Sequence, residues 1–352
     1  MDGFGVRAEE AQPDCRLRLA GDSLAGSPFS GKLAGGTCAR VMTGGLIPDG
    51  ADAVVPVECT SGYEPQDDGC IEFRENTQVG ANIRRRGSVR AAGDSLIEAG
   101  TRLAPAHLGI LAQQGMVDAE VGVRPRVAVV PTGDEIVAIG ATPGPGQVRN
   151  SNAHALVAQI AAAGGEPALL DILRDREGET EARLAAALRE YDLVCTIGGV
   201  SMGTRDLVRP TFAALGGQTL VESVRIKPGK PTLFGTVELG GHRSTLLGLP
   251  GNPASSFTIF ALFGVPWVLA FQGAARPRWV RARLAGAKLR ANRRLQALPG
   301  RWVRTDGSCV IEAIEQRSSA DLFCLGEADA LFLVPENDLL VNGAIVDCVP
   351  LS

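Results

Sequence analysis

Arg126-Val-Ala-Val-Val130, running directly into Pro131-Thr-Gly-Asp-Glu135, is the stretch from which the architecture reads. An unbroken run of mostly β-branched apolar residues, closed by proline and glycine, has the character of a strand buried on both faces. The segments that follow repeat the theme: SNAHALVAQIAAAGG (151–165), PALLDIL (167–173), ETEARLAAALREY (179–191) and DLVCTIGG (192–199) alternate helix-like and strand-like patterning. In the first of these Leu156, Val157, Ile160 and Ala161 share one helical face, and Gly164 with Gly165 supplies a stop. Alternation of this kind from 124 to 274 predicts parallel strands joined by crossover helices, the three-layer α/β class. Ligands in that class collect beyond the carboxyl ends of the strands. Chemistry is therefore sought in the loops that follow strands.

On either side the patterning changes. Residues 1–92 are rich in glycine and short apolar runs, as in VMTGGLIPDGADAVVPVE (41–58), and read as a β-rich domain. Residues 93–123, with PAHLGILAQQGM (105–116), read as a helical connector ending at a glycine. Residues 275–352 read as a small C-terminal β domain, with CVIEAI (309–314) and ALFLVP (330–335) as strands. A chain of 352 residues is long enough for two to four such domains.

Composition narrows the function. A formal net charge of -4 gives no basic surface for sequence-independent DNA or RNA binding. Only four lysines occur, Lys32, Lys227, Lys230 and Lys288, so arginine is the default cation of the chain. The eight cysteines form no CxxC pair, which signals neither a zinc site nor a redox pair and fits a reduced cytoplasm. The apolar stretch from Phe257 to Phe271 falls short of the ~20 residues needed to cross a bilayer and reads as a buried helix, so no membrane role is expected. No signal-peptide pattern opens the chain.

Four loops carry candidate chemistry. In PTGDE, Thr132 and Gly133 lead into Asp134 and Glu135, a carboxylate pair suited to a divalent cation or to proton transfer; the plainer reading makes Asp134 a cap and Glu135 solvated. In GGVSMGTRD (198–206), Gly198 and Gly199 let backbone amides approach an anion, Ser201 adds a hydroxyl, and Asp206 is either a carboxylate of the site or a simple helix cap. In GLPGNP (248–253), Pro250 precedes Asn252, which reads as the cap of the apolar helix with Pro253 at its first position, a second possible anion seat or merely a well-made helix start. In IKPGKP (226–231), Lys227 and Lys230 flank a Pro-Gly turn and can face one ligand, or be a solvated basic turn. Carboxylates at Glu135, Asp175 and Asp206 would repel a phosphorylated ligand unless a divalent cation stood between them, so the combination favours magnesium-assisted chemistry on a pyrophosphate.

These loops in this order, MDGF, VMTGG, NIRRRG, PTGDE, SNAHAL, GGVSMGTRD, IKPGKP and GLPGNP, resemble the MoeA and gephyrin E-domain family of molybdopterin molybdenumtransferases along nearly the whole chain. The resemblance implies a MogA-like α/β domain with flanking β-rich domains, in a homodimer whose active site lies between the α/β domain of one chain and the β domain of the other. It implies adenylylated molybdopterin as substrate, with Mg²⁺ and molybdate taking part and AMP released. By matched position it implies metal and pyrophosphate handling by Glu135, Asp175 and Asp206, anion binding by Lys227, Lys230, Arg301 and Ser319, and a cleft also lined by Asp2 and Thr43. A target molybdoenzyme or an adenylyltransferase is the implied protein partner.

Three departures from the family pattern accompany it. Ser88 and Val89 follow IRRRG where acidic residues are usual, Ser223 stands where a basic residue often precedes the first lysine, and the chain opens at MDGF without the helical segment that usually comes before. On that last point 93–123 is read as the remnant of a truncated N-terminal domain. The departures motivate an alternative, a catalytically impaired paralogue that binds the cofactor for delivery. A third reading, adenylyl transfer by a single-domain MogA-like protein, leaves the flanking β domains unexplained.

Overall fold

The computed structural model describes residues 2–351 apart from 175, 201–206, 276, 278, 287–291 and 306–307. Asp175, Ser201 and Asp206, three of the expected site residues, thus lie outside the described residues. Two compact units divide the chain, Met1–Ser95 and Leu96–Ser352.

The first unit is β-rich, as its short apolar runs predict. Its five-stranded sheet runs in the order Ala53–Pro56, Gly3–Val6, Thr37–Val41, Arg16–Ser23 and Cys70–Glu72. Gly3–Val6 sits between two antiparallel neighbours with all four residues buried. A side chain at Gly3 would collide with the Val55 carbonyl, which explains the glycine of MDGF. Phe4 and Phe73, both fully buried, meet edge to face with ring centroids 6.3 Å apart.

In the second unit, the connector contains a helix at Pro105–Gln113. Its end is a left-handed Gly115 (φ 73°), with the Gly115 and Met116 amides donating to the Ala112 and Leu111 carbonyls. The central sheet then runs Gln218–Val221, Leu233–Leu239, His242–Leu249, Leu193–Ile197, Arg126–Pro131, Glu166–Leu169. The last four are parallel. Leu233–Leu239 runs against them, antiparallel to both its neighbours, so the expectation of parallel strands holds for only part of the sheet. The reason is local. Gly240 and Gly241 have φ of 63° and 81°, and a two-residue turn with both centres left-handed reverses the chain without a crossover.

All five residues of Leu193–Ile197 are buried. Its two faces enter different cores, with Leu193, Cys195 and Ile197 on one and Val194 on the other. Helices Ser151–Ala162 and Pro253–Ile259 cover the first face; Glu177–Glu190 and Val208–Ala214 lie on the second. In Ser151–Ala162 the inward residues are Ala153, Leu156 and Ile160, with Val157 half-buried, whereas Ala161 is exposed rather than on the expected face. The glycine stop is a Schellman ending: Gly164 and Gly165 donate to the Ala161 and Ile160 carbonyls.

The apolar helix spans Pro253–Phe271 with a π turn at Phe260–Gly264 that brings Pro266 in at the start of a new helical segment. It is long and apolar enough to cross a membrane by composition, yet half of it is buried inside the protein. Two cores account for its character. Ile259, Phe260 and Val268 face the sheet, while Ala254 and Ala261 join Cys324, Leu331 and Val349 of the C-terminal domain.

That domain is a barrel. Leu295–Thr305, Ser308–Ala313, Val280–Ala285, Ile345–Pro350 and Ala330–Val334 pair in sequence, and the last pairs back with the first. A sixth strand, Ile226–Lys227, adds to Leu295–Thr305 although it comes from the segment read as α/β. Gly264 tests the packing of the apolar helix. A methyl there would enter the Phe260 ring, and overpacking of this kind costs about 1–3 kcal/mol. G264A is expected to lower the urea midpoint of the protein with an unchanged denaturant slope.

Candidate active site

Because the central strands are parallel, the turns after Pro131, Ile197 and Leu249 all leave at the same edge. They surround a cavity of about 510 Å³, lined among others by Thr132, Glu135, Gly198, Pro250, Asn252 and the barrel residue Ala320.

Thr132 anchors the cavity floor. It is buried, and its amide and hydroxyl both donate to the Ile197 carbonyl at 3.0 Å. Gly198 (φ 94°) and Gly199 (φ 67°) cross directly beside it, and a side chain at Gly198 would stand 2.8 Å from the Thr132 hydroxyl oxygen. Gly133 is also left-handed (φ 122°), and the Glu135 carboxylate occupies the space where a side chain at 133 would go. Asp134 and Glu135 are exposed, and the segment after them is a short strand, Ile136–Val137, paired with Val148–Arg149. Asp134 therefore has no helix to cap. The Val148 amide donates to the Glu135 carbonyl at 2.9 Å, which lays Asn150 and Asn152 along the cavity wall.

The GLPGNP turn is held differently from its sequence reading. Asn252 stands at the N-cap position with Pro253 first in the helix, but its side chain makes no cap bond. It donates instead to the Ser319 hydroxyl at 3.0 Å, and the Ser319 carbonyl accepts the Ala254 amide at 3.0 Å. A barrel loop thus takes up the first helix amide, and the expected anion seat there is occupied by protein. Asn152 donates to the Gly251 carbonyl at 2.7 Å and closes the turn from the other side.

Lys227 and Lys230 are exposed and are not among the cavity-lining residues, whereas the adjoining Pro231 is. Their loop is shut by a bond from the Val224 amide to the Lys230 carbonyl. Arg225, which stands near the position of the missing basic residue, does not replace it: its guanidinium is forked onto Glu336 at 2.9 and 2.7 Å. Arg301 lies on a barrel strand and pairs with Glu327 at 2.9 Å, with both side chains more than half exposed.

Among the described residues no three metal-ligating side chains gather at one point. Glu135 is the described carboxylate at the cavity, and Asp175 and Asp206 lie outside the described residues. Reading from sequence missed Arg174, whose Nη1 donates to the carbonyls of Gly133, Asp134 and Ile136. Its signal was adjacency to Asp175.

In the N-terminal unit, Asp2 and Thr43 are brought together. The Thr43 amide and hydroxyl donate to Asp2 Oδ1 at 2.7 and 2.8 Å, and the Tyr63 hydroxyl to Oδ2 at 3.3 Å. Bonds from the Thr43 amide and then its hydroxyl hold the Asp2 carboxyl below its ordinary range.

Residues 128–270 match the family model described as "Probable molybdopterin binding domain", and residues 1–115 match "MoeA N-terminal region (domain I and II)". A molybdopterin molybdenumtransferase of Nostoc sp. is 31% identical over 351 residues, covering 97% of this chain and 79% of that protein. The chain belongs to the MoeA family of molybdopterin molybdenumtransferases.

A second MoeA-family relative, the molybdopterin molybdenumtransferase of Haemophilus influenzae, is 36% identical over 273 residues. The matched region spans 78% of this chain but 66% of that protein, just under two thirds of its length. A crystal structure titled as a molybdopterin biosynthesis MoeA protein from a Pyrococcus species superposes with a TM-score of 0.80 at 30% identity, covering 100% of this chain and 86% of that one. Another, from Pyrococcus horikoshii, gives 0.83 at 23% identity, a likeness of fold.

The Asp2 cluster yields a titration. Since its carboxyl is lowered, the ionised form and its Thr43 bonds persist at neutral pH and are lost as pH falls through the lowered value. T43V removes the hydroxyl bond and keeps the amide bond, so the Asp2 pKa is expected to rise part of the way to its ordinary 3.8, as read by NMR titration of the side-chain carboxyl.

Proposed function

We propose that this chain performs the reaction for which its relatives are named, placing molybdenum on the dithiolene sulfurs of adenylylated molybdopterin and releasing AMP. The observation that carries the reading is the convergence of Thr132, Glu135, Gly198, Pro250 and Asn252 on one cavity at the carboxyl edge of the parallel strands. The transferase names of the relatives favour this reading over a delivery protein without turnover.

In this reading Glu135, with Asp175 and Asp206, handles Mg²⁺ and the pyrophosphate. A cavity with one described carboxylate suits Mg²⁺, which is commonly held by one or two carboxylates together with water and substrate phosphate oxygens. Bound there, the ion would neutralise phosphoryl charge and polarise the linkage for attack. Molybdate enters as substrate. The amides beside Gly198 and Gly199 bind the phosphates, a role the resemblance to the family extends to Ser201, while Thr132 keeps the Gly198–Gly199 turn in register.

Lys227, Lys230, Arg301 and Ser319 supply anion binding. Arg301 gives up little to do so, because exposed ion pairs such as Arg301–Glu327 are worth about 0–1 kcal/mol. The family resemblance further supports a homodimer whose partner subunit completes the cleft with Asp2 and Thr43, a cytoplasmic setting, and hand-over from an adenylyltransferase or to a target molybdoenzyme.

The test is a turnover assay with adenylylated molybdopterin and molybdate, following AMP release with and without Mg²⁺. Wild-type protein is expected to release AMP only with the ion, and E135Q to be slowed by roughly 10²-fold or more, the scale of losing one preorganised electrostatic contact. Wild-type protein that binds the substrate yet never releases AMP would refute the transferase reading in favour of delivery.

A further inference from the structure

We propose that Arg174 is the positioning residue of the Glu135 turn, holding that carboxylate at the cavity through the backbone. The inference deepens the reading above and rests on it. Nη1 of Arg174 lies 3.2, 3.1 and 3.1 Å from the carbonyl oxygens of Gly133, Asp134 and Ile136. Three carbonyl dipoles of one short turn therefore point at a single cationic nitrogen. Without a positive donor between them their oxygens repel, the part-buried Ile136 carbonyl loses its charged donor, and the Gly133 carbonyl is left with the 3.4 Å bond from the Ile136 amide.

The base of Arg174 is equally fixed. The Leu173 amide donates to the Pro131 carbonyl at 2.8 Å, and the Gly133 amide donates to the Leu173 carbonyl at 3.0 Å. The strand-like ladder thus clamps the residue before Arg174 to the residues before and within the turn. From that anchor the side chain reaches under the turn and gathers its carbonyls. The outward consequence is at Glu135: the left-handed Gly133 leaves a space, the Glu135 carboxylate fills it, and the residue lines the cavity. Arg174 is not itself among the cavity-lining residues, although one of its three acceptors, Ile136, is. Arg174 acts through the peptide backbone of the Glu135 turn.

Arginine suits the task better than lysine because its guanidinium stays charged and its planar fork is already organised when the turn closes around it. R174M keeps most of the chain length and removes every donor. R174K keeps the charge, and R174Q provides a neutral amide donor that does not reach as far.

The experiment combines amide hydrogen exchange with the AMP-release assay on the full chain. In R174M the amides of Gly133, Ile136 and Val148 are expected to exchange at least about tenfold faster, with the Arg126–Pro131 strand unchanged. Turnover is expected to fall about 10–100-fold in kcat, the range found for supporting residues, with KM within about threefold. R174K should lie between wild type and R174M in both readouts. If R174M does not fold, R174Q carries the same comparison. Unchanged exchange at the turn overturns the proposal, as does a kcat loss accompanied by equally faster exchange across the core strand. A wild-type protein without AMP release sinks the functional reading instead, and the exchange experiment still decides whether Arg174 holds the turn.

Discussion

Two-sided burial of the Leu193–Ile197 strand is the constraint on which the second unit depends. A strand with no solvent face has to be covered by helices above and below, and helices that link parallel strands must cross over. The loops that enter those crossovers then have one place to go, the carboxyl edge. PTGDE, the Gly198–Gly199 turn and GLPGNP meet there for that reason, although they are far apart in the chain. The cavity is a by-product of how the core is buried.

The helix Pro253–Phe271 extends the same constraint to the barrel. An all-round apolar helix of this length would be a liability on a soluble surface. Here one side is buried against the sheet and another against Leu331 and Val349 of the barrel. Its first turn sits at the cavity, so packing the helix also fixes where the barrel loop carrying Ser319 and Ala320 meets GLPGNP. The Ala254 amide finds its acceptor in the Ser319 carbonyl, which satisfies a helix end and joins two domains by the same bond.

The lysine loop shows a second join. Ile226–Lys227 pairs in parallel with Leu295–Thr305, Arg294 donates to the Ile226 carbonyl, and Arg225 forks onto Glu336. The segment is thus hydrogen-bonded to the barrel at Ile226 and Lys227 while Val224 and Ile226 still pack against the α/β core. In a chain where lysine is scarce, two of the four lysines fall in this one loop, at the point where the chain joins the barrel.

The sequence by itself determined the alternation of buried strands and helices, the glycine turns at strand ends, the β-rich flanks and the membership of a family, because each of these is written in short-range periodicity and in motifs. It carried the antiparallel extension too, in Gly240-Gly241, a turn signal overlooked among stronger ones. Tertiary structure alone decided that Asn252 bonds Ser319 instead of capping its own helix, that Lys227 belongs to a barrel strand, and that Arg174 gathers the carbonyls of PTGDE. A side-chain donor goes to whichever acceptor packing brings nearest, and those acceptors lie dozens of residues away or more, beyond the reach of any local pattern.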